Sequence, residues 1–309
     1  MLKHSIWNLL QKTFQSWNEE HVPRLAAALA YYTIFALAPL LIIAIAIAAL
    51  FFDEAQVRTS ILNELGGLIG ANGREAIEML IDGARKPGAG KVATLISIIT
   101  LLVAAGGFFG QLQDALNTIW QVKPKPGRGI WGIIQSRFFS FVMVLGTGFL
   151  LLVSLLISTA LAAAEKFLGG DIYGEALLWR VISSTVSFGI TTLLFALIFK
   201  VLPDAKVRWR DVWVGAIATG ILFSLGRFLI GWYLGQASTE STYGAAGSLV
   251  ALLIWIYYST QILFLGAEFT QIYAQTYGSD ITPAANAVRV IEQECTEQEM
   301  PNKNQSQDS

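Results

Sequence analysis

The chain has 309 residues, of which 54% are apolar and 14% charged, and its formal net charge is −1. Soluble domains carry about a quarter charged residues, so this chain lacks the polar surface to cover itself in water. The near-zero charge gives no general attraction to nucleic acid, and one cysteine (Cys295) with two histidines (His4, His21) excludes a disulfide framework, a Cys-rich metal site and a His-cluster active site.

Residues 1–24 place Trp7, Leu10, Phe14 and Trp17 at helical spacing, with Lys3 and Lys12 able to reach water or lipid phosphate. Two readings fit equally: an amphipathic helix on the inner membrane surface, or a soluble cap packed on the bundle.

A bilayer core about 30 Å thick needs about 20 apolar helical residues. Runs free of Asp, Glu, Lys and Arg cover 25–52, 92–113, 138–164, 181–199 and 241–267. A sixth, 212–239, is interrupted once, by Arg227. The fold class expected is an all-α, polytopic membrane protein with six transmembrane helices and a membrane domain over 25–278. The first run starts too late and is too long for the h-region of a signal peptide, about 7–15 residues.

The connection 53–91 carries Val57, Ile61, Leu62 and Leu65, then Ile77, Leu80 and Ile81, broken by Gly66-Gly67, Gly70 and Gly73. It reads as two short helices forming an external cap, ended by Pro87-Gly88. The stretch from Lys123 to Gly127, Lys-Pro-Lys-Pro-Gly, reads as a stiff basic turn. The tail, 279–309, is polar and acidic and is expected to begin as a short helix and end disordered.

Positive charge sets orientation. Lys3, Lys12 and Arg24 precede the first run; Lys123, Lys125, Arg128 and Arg137 follow the second; Lys200, Lys206, Arg208 and Arg210 follow the fourth. The connections 165–180 and near 240 are poorer in basic residues. Both termini should therefore be cytoplasmic.

Polar groups in hydrocarbon are costly, so each needs an account. The first run holds Tyr31 and Tyr32, then Pro39, which cannot donate to Phe35 and reads as a hinge or a static packing kink. The second holds Gly106 and Gly110 at GxxxG spacing and leaves through Gln111, Gln113, Asp114 and Asn117. Gln113 and Asn117 share a face. Arg227 lies about 24 Å along its helix from Asp211, where an arginine costs about 2.5–3.5 kcal/mol. It should face a polar cavity, a carbonyl or an anionic ligand, or pair with Glu240 or a head group. The last run aligns Tyr257, Gln261, Phe264 and Glu268 on one face. Glu268 falls at the depth of Arg24 and Asp114, so the three should form a cluster at the cytoplasmic mouth if their helices are neighbours. The candidate substrate-binding residues are thus Arg227, Glu268, Asp114, Gln261, Arg24, Tyr31, Tyr32 and Asn117, with Pro39 as candidate hinge. Two polar stations at different depths suit a solute or lipid head group moving between leaflets; they also suit two static helix clamps.

Four stretches carry a resemblance: LAAALAYYTIFALAPLL from Leu25, QLQDALNTIWQVK from Gln111, LPDAKVRWRDVWVGA from Leu202, and STYGAAGSLVALLIWIYYSTQILFLGAEFTQIYA from Ser241. Over residues 10–278 the chain resembles the YihY/BrkB family of bacterial inner-membrane proteins. The resemblance implies six helices, both ends in the cytoplasm, and a multi-pass protein of the inner membrane. Some members are suspected of moving lipids or other solutes. The family's former ribonuclease BN label finds no support, because a metal-dependent nuclease needs clustered His, Asp and Glu ligands.

Three functions follow. The first is a transporter or lipid flippase; with no Gly-x4-Gly-Lys-Ser/Thr loop it would lack its own ATPase and draw on a gradient or a partner. The second is a non-catalytic scaffold or envelope assembly factor. The third, a ribonuclease, is disfavoured, and no enzyme activity, catalytic residue, cofactor or metal is expected. Expected partners are the bilayer, an anionic lipid or solute, and a second copy or an envelope protein, but no nucleic acid.

Overall fold

A computed structural model describes residues 2–50, 52–84, 91–125, 175–237, 244–278 and 281–290. Its helices are α1 (Leu2–Glu19), α2 (Val22–Ala48), α3 (Glu54–Ala84), α4 (Lys91–Ile119), α5 (Glu175–Val201), α6 (Trp209–Ala237) and α7 (Gly244–Tyr277). Short strands β1 (Val122–Pro124), β2 (Ala205–Lys206), β3 (Thr282–Pro283) and β4 (Ala287–Arg289) complete it.

Among the described residues, four helical segments are long and apolar enough to cross a membrane: Val22–Ala48, Val181–Val201, Trp209–Ile230 and Leu249–Tyr277. The expected span 92–113 lies within α4. The expected span 138–164 lies outside the described residues. Pro39 sits inside α2, which stays helical on both sides of it.

Two apolar clusters hold the bundle. The larger joins Leu29 of α2, Phe109 and Leu116 of α4, Phe195 and Phe199 of α5, Val212 of α6 and Phe264 of α7. The second joins Leu41 and Ile45 of α2, Val57, Ile77 and Ile81 of α3, and Leu252 and Ile256 of α7.

The connection expected as two helices is helical over Glu54–Ala84, yet it doubles back; its expected end at Pro87-Gly88 lies outside the described residues. Arg58 bonds Asp82 at 2.6 Å although the two stand 24 residues apart. A straight helix would hold them about 36 Å apart. Arg74 donates to Asn63 at 2.8 Å, and a Cβ at Gly66 would lie 3.2 Å from Arg74 Cδ. The reversal therefore falls in the glycine-rich stretch between Gly66 and Arg74.

Two expectations change at the other end. Lys123 and Pro124 of the basic stretch lie in a strand: β1 pairs antiparallel with β4, Val122 opposite Arg289; residues 126–127 lie outside the described residues. The described part of the tail, 281–290, holds no helix. It forms β3 and β4, and β3 pairs with β2, Ala205 opposite Pro283. Pro283 has no N–H and Val288 is β-branched, so the segment favours extended backbone over helix. Residues 291–309 lie outside the described residues.

Both turns at this end use left-handed residues that are not glycine. His21, between α1 and α2, has φ 51°, and Gln121, between α4 and β1, has φ 53°. Each stands just past a helix C-terminus, where a left-handed residue closes the last carbonyls. Gln121 Nε2 then donates to Glu20 at 3.4 Å, and Val290 N–H donates to the Gln121 carbonyl at 2.9 Å. The start of α2, the exit of α4, the α5–α6 loop and the segment after α7 thus meet at one end, the sheet end.

Candidate functional site

The expected cluster of Arg24, Asp114 and Glu268 does not form. Arg24 is exposed in a shallow depression with Asn18, His21 and Pro23. It makes no ion pair among the described residues. Asp114 is exposed too. It lies one residue past the apolar run, and its carboxyl is held above the usual range by partial burial and then by the carboxylate of Asp204. Only Glu268 is buried, at 0% exposure. The three share an end of the bundle but sit on different faces of their helices.

The shared face of Gln113 and Asn117 has a partner that sequence reasoning missed. Asn117 Nδ2 donates to Asp204 Oδ2 at 3.1 Å, and Asp204 N–H donates back to Asn117 Oδ1 at 2.8 Å. Gln113 Nε2 at 3.4 Å and Asn286 Nδ2 at 3.4 Å also donate to the Asp204 carboxylate. The Ala284 N–H donates to the Asp204 carbonyl at 2.9 Å. One loop acid thereby ties α4, the α5–α6 loop and the tail together. Three amide donors on one half-buried carboxylate satisfy its oxygens without a cation.

Tyr31 and Tyr32 stand elsewhere. They meet edge to face at 5.8 Å, and Tyr31 packs on Phe35 at 4.9 Å. Tyr32 lies against Gly107 of α4, where an added Cβ would be 3.3 Å away. Both tyrosines are exposed on the side of the bundle. Arg227 is exposed on α6 and makes no ion pair among the described residues.

Gln261 and Glu268 do share a face of α7, with Gln271 one turn further. Ser16 of α1 donates to Glu268 Oε2 at 2.9 Å. Glu268 Oε1, Gln261 Oε1 and Gln271 Oε1 are buried and have no hydrogen-bond partner among the described residues. Gln271 is 1% exposed. Ser16 and Gln271 were not singled out from sequence; Gln271, three residues after Glu268, could have been.

Gln261 opens into a groove of about 300 Å³. Phe14 and Trp17 of α1 form one wall, their rings stacked at 5.5 Å. Leu222, Leu225, Gly226 and Leu229 of α6 form another, and Tyr258, Ile262 and Leu265 of α7 complete it. The helix α1 itself is held by buried Leu9 and Thr13, while Trp7, Leu10 and Phe14 stay exposed. It is therefore packed on the bundle and presents an apolar stripe outward, combining the two sequence readings.

Nearer the sheet end α7 meets α6 with no such space. A Cβ at Gly215 would lie 1.7 Å from Thr270 Oγ1, and one at Gly266 would lie 1.9 Å from Thr219 Oγ1. Each threonine donates to a carbonyl of its own helix: Thr219 to Gly215 at 2.7 Å and Thr270 to Gly266 at 2.6 Å. Two Gly-x3-Thr pairs thus interlock across an antiparallel seam, each glycine receiving the opposite threonine. One turn pair further, Gly226 sits against Ile262 and Tyr258.

Among the described residues no group of three His, Cys, Asp or Glu side chains could hold a metal ion.

Comparison with known proteins places the chain. A protein from Mannheimia succiniciproducens named UPF0761 membrane protein is 28% identical over 83% of this chain and 86% of its own length. One of that name from Psychromonas ingrahamii is 30% identical over 79% of this chain and 80% of its own. One from Glaesserella parasuis is 27% identical over 71% of this chain and 73% of its own. No solved structure matches. The family model described as Virulence factor BrkB matches residues 13–290, from the middle of α1 through the last tail strand. With apolar helices of spanning length and relatives that are membrane proteins, this chain is a membrane protein and belongs to the YihY/BrkB family.

Proposed function

We propose that the protein is a six-span translocator of the bacterial inner membrane, with both termini cytoplasmic, that moves a lipid or an anionic solute without an ATPase of its own. The observation that carries this reading is the polar column on α7. Gln261, Glu268 and Gln271 line a helix otherwise apolar enough to cross a membrane, and each has an oxygen without a partner among the described residues. Unpaired polar atoms at such a place cost about 1–3 kcal/mol each and are tolerated where function uses them.

The sheet end gathers Lys123, Lys125, Lys200, Lys206 and Arg208, which supports placing it in the cytoplasm. Arg227, well along α6 from that end, serves as the second station, for an anionic group. Energy comes from a gradient or a partner protein.

Reconstitution of the full chain in liposomes tests the reading. Labelled lipids and a panel of labelled anionic solutes are scored for movement against empty vesicles. Movement is expected, and Glu268→Gln should slow it about tenfold, the loss of roughly one contact made in the barrier. Folded protein that moves nothing on the panel overturns the reading. Reporter fusions that put the two termini on opposite sides overturn the topology.

A further inference from the structure

We propose that the groove between α1, α6 and α7 is a binding site for one acyl chain of a membrane lipid. The walls are apolar and belong to the outer face of the bundle. Leu225 and Leu229 on α6 and Phe14 on α1 are exposed, at 55%, 49% and 65%. The groove is therefore continuous with the surface that α6 turns to the bilayer, and the hydrocarbon there is its immediate neighbour. About 300 Å³ is at the lower bound of ligand pockets, the size of part of one chain rather than of a whole lipid.

The groove is also selective in its polarity. The stacked rings of Phe14 and Trp17 form a flat side, and hydrocarbon packs well on such a surface. At its base lie the Gln261 amide, whose oxygen has no partner among the described residues, and Tyr258. At Gly226 α6 closes on α7 and bounds the slot: a Cβ there would lie 2.5 Å from Ile262 Cδ1. In naming a lipid as the cargo this rests on the translocator reading; occupancy of the groove does not.

The test uses the full chain in nanodiscs containing a phospholipid with a photoreactive diazirine on its acyl chain. After illumination, labelled residues are located by mass spectrometry. Tyr258 and Gln261 should be labelled about tenfold over Phe228 and Ile221, which are exposed on the open face of α6; one decade in occupancy separates a held chain from a passing one. Leu225→Trp, or Leu229→Phe where the first fails to fold, should remove the excess and leave Phe228 labelling unchanged. Equal labelling of groove and open face overturns the site. Labelling without flux in the same discs rebuilt as liposomes keeps the site and removes the translocator; flux without labelling does the reverse.

Discussion

The two sides of α7 are built by opposite rules. Toward α6 the helices meet through glycine and threonine so closely that no side chain larger than hydrogen fits at Gly215 or Gly266. Where α1 joins the pair, the same two helices leave a groove, and oxygens on Gln261 and Glu268 have no partner among the described residues. The same contrast divides two acids. Half-buried Asp204 collects three amide donors from two segments, α4 and the tail, whereas buried Glu268 has one serine hydroxyl. A packed seam with saturated polar groups is a frame. A seam with a void and unspent hydrogen-bonding capacity is where something else can bind or move.

The largest effect should come from breaking the frame. Gly266→Val pushes two methyl groups into Thr219 and should destabilise the fold by about 3 kcal/mol or more, read as lost monodisperse protein and a lower Tm in detergent. The exchange variant Gly266→Thr with Thr219→Gly moves the bulk across the seam and should recover most of that loss. A single variant as stable as the parent would show that α6 and α7 do not interlock.

The next test sharpens the contrast between the two acids. Asn117→Ala removes both the donor to the Asp204 carboxylate and the acceptor for its N–H. It should cost about 2 kcal/mol and make the chain cleavable by protease between Tyr277 and Val290, because the strand pairings of the tail rest on that loop. Unchanged protection of the tail would mean that the strands hold without Asp204.

How much of this was legible in the sequence follows from what each feature depends on. Spans are legible because hydrocarbon demands long uncharged runs, and α2, α5, α6 and α7 rise directly out of 25–52, 181–199, 212–239 and 241–267. The shared face of Gln113 and Asn117 was legible from helical period; its partner was not, because Asp204 comes from a loop whose position depends on tertiary folding. The Gly-x3-Thr pairs are visible at 215–219 and 266–270, but their meaning appears only when the two helices are known to be antiparallel neighbours. The tail strands were hidden for a different reason. Two- and three-residue strands have no period to detect, and the turns that aim them use His21 and Gln121 in a conformation sequence normally signals with glycine or asparagine. The cluster of Arg24, Asp114 and Glu268 failed because equal depth is only one coordinate; rotation about each helix put the three side chains in different directions.

The smallest effect belongs to the loose side of α7. Ser16→Ala deletes the hydrogen bond that α1 makes to Glu268 and nothing else of similar size. Global stability should fall by about 1 kcal/mol at most, since Leu9 and Thr13 still anchor α1. Local opening should be more sensitive: amide exchange across Leu9 to Glu19 should speed up several-fold while α6 and the α6-facing side of α7 stay unchanged. The comparison of the two seams requires that asymmetry. If exchange rises equally on both sides of α7, α1 is part of the frame rather than a cover over the groove, and the difference between the seams lies in their packing alone.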